Sequence, residues 1–184
     1  NATDAADLTV ARRLGAGHST GTHGYSSGGC TGSESNVIDK HSLSADNNAT
    51  DVGDLTVARE FVSSSSSSNH GYTTGGASPN SNVIDKFSFS SDGNSTDVGD
   101  LVATNSGAAG TSSTTHGYVS AGYTSAYDNV IWKFTFASDS NATDVGDVTV
   151  SRGYVSGVSS TTHGYTAGGW SGGAKYQWSR ATGT

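Results

Sequence analysis

Three sets of residues in this chain have the types and spacing to do chemistry. The first is the histidine of "HGY", at His23, His70, His116 and His163, spaced 47, 46 and 47 residues apart. Imidazole is the usual metal ligand and proton shuttle near neutral pH. The second is the turn "D-x-N-x-T-D", read at Asp46/Asn48/Thr50/Asp51, Asp92/Asn94/Thr96/Asp97 and Asp139/Asn141/Thr143/Asp144. Alternating hard oxygens of this kind open a calcium loop, so Asp46, Asn48, Asp92, Asn94, Asp139 and Asn141 are the candidate calcium ligands. The sixth-position glycine and the bidentate glutamate of a full loop are missing. The third set is Tyr123 and Trp170, aromatics that follow a small-residue turn and offer rings for stacking on a ligand such as a sugar. The acidic turns also carry sequons at Asn48, Asn94 and Asn141, with one more at Asn1, which are glycosylation acceptors where the machinery exists.

Each set has a plainer reading. Catalytic sites combine unlike groups in unlike roles, whereas these histidines recur identically. They are expected to pack in their own repeats beside Tyr25, Tyr72, Tyr118 and Tyr165. Asp, Asn and Thr are ordinary turn residues that hydrogen-bond their own backbone. Tyr123 and Trp170 have Cys30 and Ala77 as counterparts, so a ring of equivalent sugar sites is not expected, and aromatics more often pack than bind. No nucleophile elbow, phosphate loop, HExxH or nucleotide fingerprint is present. The expectation is a protein that is not an enzyme, with calcium the one candidate cofactor.

Composition narrows the class further. The net charge is −7 and the nine basic residues form no run, leaving no electrostatic basis for nucleic-acid or anionic-membrane binding. No stretch approaches the roughly 18 apolar residues that membrane insertion needs. The lone Cys30 excludes an internal disulfide and a cysteine zinc site, and is expected as a small buried side chain. Hydrophobic residues are only 32%, but the eight Tyr, five Phe and three Trp recur at fixed positions, which argues for a folded, turn-rich all-β chain.

The elements that must position these residues repeat with the same period. "NATD" or "NSTD" begins at Asn1, Asn48, Asn94 and Asn141. The octamers "NVIDKHSL", "NVIDKFSF" and "NVIWKFTF" begin at Asn36, Asn82 and Asn129. A degenerate fourth, "YQWSRATG", begins at Tyr176 and keeps Arg180 in register with Lys86. Within one repeat, residues 61–67, 70–74, 83–89 and 97–101 read as strands, and nothing reads as a helix. In the third strand Val83, Asp85, Phe87 and Phe89 share one face, with Ile84 and Lys86 on the other. The serine run Ser63 to Ser68 falls where a tightly packed first strand belongs. The one-residue deficit of the 46-residue spacing is assigned to the third linker, "DLVATN", which also lacks the arginine of "DLTVAR".

A four-strand unit of this size cannot bury its faces alone, which is the logic of a propeller blade. "HGYTTGG…NVIDKFSF…TDVGDLTVAR" resembles a kelch repeat, with its Gly-Gly strand end, its aromatic third strand and its arginine leading into the next blade. The late tryptophan of that family is replaced by valine, as at Val52. The resemblance implies a β-propeller of four blades, each of four antiparallel strands, with the N-terminal strand closing the last blade. The blades divide as residues 13–58, 59–104, 105–151 and 152–184, with 1–12 as the closing strand. The alternative is a window from a longer array. Galactose oxidases share the architecture, but their copper–radical site needs a Tyr–Cys crosslink, and Cys30 lies in a Gly-rich turn.

In composition the repeats are similar to those of phage tail fibres. That similarity implies a non-enzymatic structural or adhesion module on a virion or cell surface, with a protein or glycan partner. A multivalent lectin and a self-associating filament subunit that exchanges strands with its neighbours are the alternative expectations.

Overall fold

The computed structural model describes residues 4–160, 162–171, 174–175 and 178–181. Unit 1 is one antiparallel sheet of β1 (Ala16–Ser19), β2 (His23–Ser27), β3 (Val37–Ser42) and β4 (Thr50–Asp54), in that order. Unit 2 repeats it with β5 (Ser63–Ser66), β6 (His70–Thr74), β7 (Val83–Ser88) and β8 (Thr96–Asp100). Unit 3 repeats it again with β9 (Ala109–Ser112), β10 (His116–Tyr123), β11 (Tyr127–Thr135) and β12 (Thr143–Arg152). Beyond it lie β13 (Ser156–Ser159), β14 (Gly164–Ala167), β15 (Trp170–Ser171), β16 (Ala174–Lys175) and β17 (Trp178–Ala181). Strands β13, β14 and β17 form the three-stranded sheet of unit 4, and β15 and β16 pair separately. The protein is all-β.

Strand ends fall where the repeat puts them, because the Gly-Gly turns and acidic turns recur in register. The degenerate fourth octamer keeps that register too. Tyr165 lies opposite Arg180, as Tyr25 lies opposite Lys40 and Tyr72 opposite Lys86. Tyr176, where that octamer begins, lies outside the described residues. The missing residue of the 46-residue spacing is not in the third linker. Residues 54–59 and 100–105 are equally long, and the loop from Gly76 to Val83 is one residue shorter than its counterpart from Gly29 to Val37.

The units stack through their first strands, with β1 against β5, β5 against β9 and β9 against β13. This approach is close enough to dictate composition. A Cβ on Gly110 would fall inside the backbone of Ser64, so no side chain fits there. Ser65 Oγ donates to Thr111 O at 3.0 Å, and Ser66 N donates to Ser112 Oγ at 2.8 Å. The serine run is thus a packed first strand, as its position implied.

Hydrophobic burial happens between units. Tyr25, Ile38 and Leu55 of unit 1 cluster with Phe87 of unit 2. Tyr72, Ile84 and Leu101 of unit 2 cluster with Val119, Trp132 and Phe134 of unit 3. Strand β7 therefore has two buried faces. Asp85, Phe87 and Phe89 contact unit 1, whereas Ile84 packs with unit 3 and Lys86 pairs with its Asp139.

The N-terminal segment does not form the expected closing ladder. Among the described residues Asp4–Arg12 pairs with no strand, and β17 pairs with β14. The backbone of Asp7 is taken by unit 1 instead: its carbonyl accepts from Ala49 N at 2.8 Å, and its amide donates to Asn48 Oδ1 at 3.1 Å.

Candidate functional site

The groups best equipped for chemistry meet at the seams between units. Arg59, at the end of the linker into unit 2, is fully buried. Its Nη1 pairs with Asp85 Oδ2 at 2.8 Å, its Nε donates to Gly75 O at 2.6 Å and its Nη2 to Thr73 O at 3.2 Å. Thr56 caps the same carboxylate through its amide and hydroxyl, at 3.1 and 2.8 Å. Unit 1 repeats the ion pair and the threonine cap with Arg12, Asp39 and Thr9, but Arg12 Nε and Nη1 are buried without partners. A buried ion pair repays its desolvation only when its remaining hydrogen-bonding capacity is met, as it is at Asp85. The carboxylate is saturated by its neighbours and has no access to solvent, so it is a clamp on the linker.

Unit 3 lacks all three partners at once. Val102 stands in place of Thr56, Asn105 in place of Arg59 and Trp132 in place of Asp85. Asn105 Nδ2 donates to Ala121 O at 2.8 Å, doing for Ala121 what Arg59 does for Gly75. Trp132 joins the apolar core. The recurring linker arginine was legible in the sequence; its aspartate partner was not, because Asp85 lies inside an apolar octamer.

The four "HGY" histidines stay within their own units. Their rings lie 6.3–6.5 Å from those of Tyr25, Tyr72, Tyr118 and Tyr165. The Nδ1 atoms of His23, His116 and His163 share hydrogen bonds with the preceding threonines, at 2.8–2.9 Å. Burial, with Lys86 nearby, lowers the pKa of His70, and burial with Lys133 lowers that of His116. The glycine of the motif has a cross-strand cause. Gly71 lies opposite Phe87, whose ring occupies the space a Cβ would need.

One histidine outside that motif is more deeply placed. His18 on β1 is 6% exposed and bonds Ser65 O, Ser27 Oγ and Thr73 Oγ1 at 3.3, 3.0 and 3.2 Å. Burial pushes its imidazole down to about 4. Ser65, Thr111 and Val158 hold the equivalent positions, so the period gave no sign of it.

The acidic turns direct their oxygens at the preceding unit. Asp92 accepts from Lys40 at 2.8 Å, and Asp139 accepts from Lys86. The Lys40 ammonium is held above its usual pKa by that Asp92 hydrogen bond. Asn48, Asn94 and Asn141 accept through Oδ1 from the amides of Asp7, Asp54 and Asp100, at 3.0–3.1 Å. Asp46 is exposed. All three asparagines are exposed, and Asn1 lies outside the described residues. Among the described residues no group of three or more His, Cys, Asp or Glu comes together as a metal site. No helix among them is long and apolar enough to cross a membrane.

Tyr123 and Trp170 hold equivalent places. Each bridges the residue after its linker, Ser106 and Gly153, as Cys30 bridges Arg13 and Ala77 bridges Glu60. Cys30 is buried, whereas Tyr123 is 41% and Trp170 58% exposed. The Tyr123 ring meets Tyr127 edge-on at 5.5 Å, and Tyr127 covers Gly153, the bridge partner of Trp170. These aromatics thus mark the Gly-Gly end of units 3 and 4 and have no counterpart on units 1 and 2. No protein-family model and no curated protein matches the chain.

Proposed function

We propose that this chain is a non-enzymatic structural and adhesion module, built from kelch-like repeats of the propeller type and displayed on a virion or cell surface. One observation carries the reading. The buried arginines and aspartates clamp the linkers, and the turn lysines and aspartates with the packed Tyr25 and Tyr72 hold units together. Recurring groups spent on packing leave a scaffold whose variable positions do the recognition.

Tyr123 and Trp170 are those variable positions. Exposed aromatic rings at one end of the stack suit a glycan, through stacking on a sugar face. Asymmetry of this end favours one binding region over a site per unit, which sets aside the multivalent lectin.

A glycan array probed with the chain and with Tyr123→Ala/Trp170→Ala tests this. The expected outcome is a retained glycan class lost in the double variant with unchanged thermal unfolding. Retention of no glycan, or equal retention by the variant, would sink the sugar-binding assignment.

A further inference from the structure

Unit 1 carries a groove of about 530 Å³ lined by Ala5, Leu8, His41, Leu43 and Asp46, among others. Every one of those five residues has a counterpart that is engaged by a neighbouring unit elsewhere in the chain. Ala5 and Leu8 correspond to Val52 and Leu55, His41 and Leu43 to Phe87 and Phe89, and Asp46 to Asp92. That second set receives Tyr25 and Lys40 of the preceding unit. The Tyr25 ring lies 5.7 Å from Phe87 and 4.9 Å from Phe89, and its hydroxyl donates to Phe89 O at 3.3 Å. Lys40 pairs with Asp92. Unit 2 enters unit 3 the same way, with Tyr72 on Phe134 and Phe136 and Lys86 on Asp139. The groove on unit 1 is this socket without its tyrosine, and Leu43 is 56% exposed in consequence.

The matching plug is on unit 4. Tyr165 and Arg180 stand opposite each other across β14 and β17, in the register of Tyr25 and Lys40. Tyr25 and Tyr72 are each 3% exposed under the following unit, whereas Tyr165 is only half-buried. The first strands show the same mismatch. Ser64 O and Gly110 O occupy the space that a Cβ on Gly110 and on Gly157 would need, but a Cβ on Gly17 would meet nothing within 4 Å. At the other end of the stack Val158 is 59% exposed, and Ser156 and Ser159 are exposed beside it. By register the two faces match, Arg180 standing where Lys40 and Lys86 stand, and among the described residues they do not cover each other within one chain.

We infer that unit 4 of a second copy of this chain docks on unit 1 head to tail, with Tyr165 in the His41/Leu43 groove and Arg180 against Asp46. The first strand of that unit lies along β1, where its Gly157 carbonyl covers Gly17 and its Ser159 amide reaches Ser19 Oγ. The contact is heterologous, so it builds a closed ring or a filament according to the rotation between copies. Tyr123 and Trp170 lie at the opposite end of the strands and are not involved.

Size-exclusion chromatography with light scattering on the full chain tests the docking. The expected mass is at least twice that of the chain, falling to a single chain in Gly17→Leu and in Asp46→Arg. Both positions are exposed and uncrowded in the isolated chain, so the dissociated forms are expected to keep the wild-type far-UV circular dichroism spectrum. The charge-swapped chain Asp46→Arg/Arg180→Asp regains the larger mass. A wild-type chain that stays single at the highest attainable concentration would overturn the inference. So would a larger mass that survives both single substitutions, or a swapped chain that stays single.

Discussion

Asp85 and Trp132 occupy the same position in successive units, and their surroundings differ accordingly. Where the aspartate stands, an arginine and a threonine come from the linker to meet it; where the tryptophan stands, both are gone. Polar burial at this position is thus compensated partner by partner, whereas in unit 1 Arg12 keeps Nε and Nη1 buried without a partner. His18 is the second case. It is held neutral among hydroxyls, with its pKa pushed down to about 4 by burial. In the unfolded chain the imidazole titrates near its ordinary value of about 6.5. Between those values the unfolded state binds the extra proton, so this contribution is complete above about pH 6.5 and is lost as pH falls toward 4. Urea unfolding of wild type and His18→Gln across that window should show a steeper acid loss for wild type, by at most about 1.4 kcal/mol per pH unit. Parallel curves would mean the histidine is not held neutral.

At the scale of strands, much was legible in the sequence. Strands β6 and β7 appear over nearly the residues the pattern assigned, because Gly-Gly and acidic turns punctuate the chain at fixed intervals. The two-faced reading of β7 holds for the same reason. What the pattern did not reveal was how the faces meet. Tyr25 meets Phe87 across a seam and Arg59 reaches Asp85 from the linker, and a repeat period does not say which neighbour a face looks toward. His18 was illegible because only one of four copies has it. The first strands give a prediction of their own. Gly110→Ala drives a methyl group into the Ser64 backbone and should cost about 3 kcal/mol in chemical denaturation. Gly17→Ala, in open space within one chain, should change it by less than about 0.5 kcal/mol when single chains are compared at a concentration below assembly. Equal effects would contradict the packing of β5 on β9.

The whole molecule is a stack in which units 1 and 2 each supply a tyrosine and a lysine to the next. No unit owns a complete core, so stability is a sum over seams. That arrangement explains why a low-charge, glycine- and serine-rich chain folds, and why its ionisable groups serve structure first. It also explains why the socket on unit 1 is a recognition surface, since the same shape is filled twice within the chain. The account stands on the linker being locked to the unit it enters, and the Arg59/Asp85 pair measures that coupling most directly. Urea unfolding of wild type, Arg59→Ala, Asp85→Ala and the double variant forms a closed cycle. Each single change should cost about 3–5 kcal/mol. The double change should cost less than their sum by about 2 kcal/mol or more, within the range of directly contacting residues. Single costs that add to within about 0.5 kcal/mol would contradict the account.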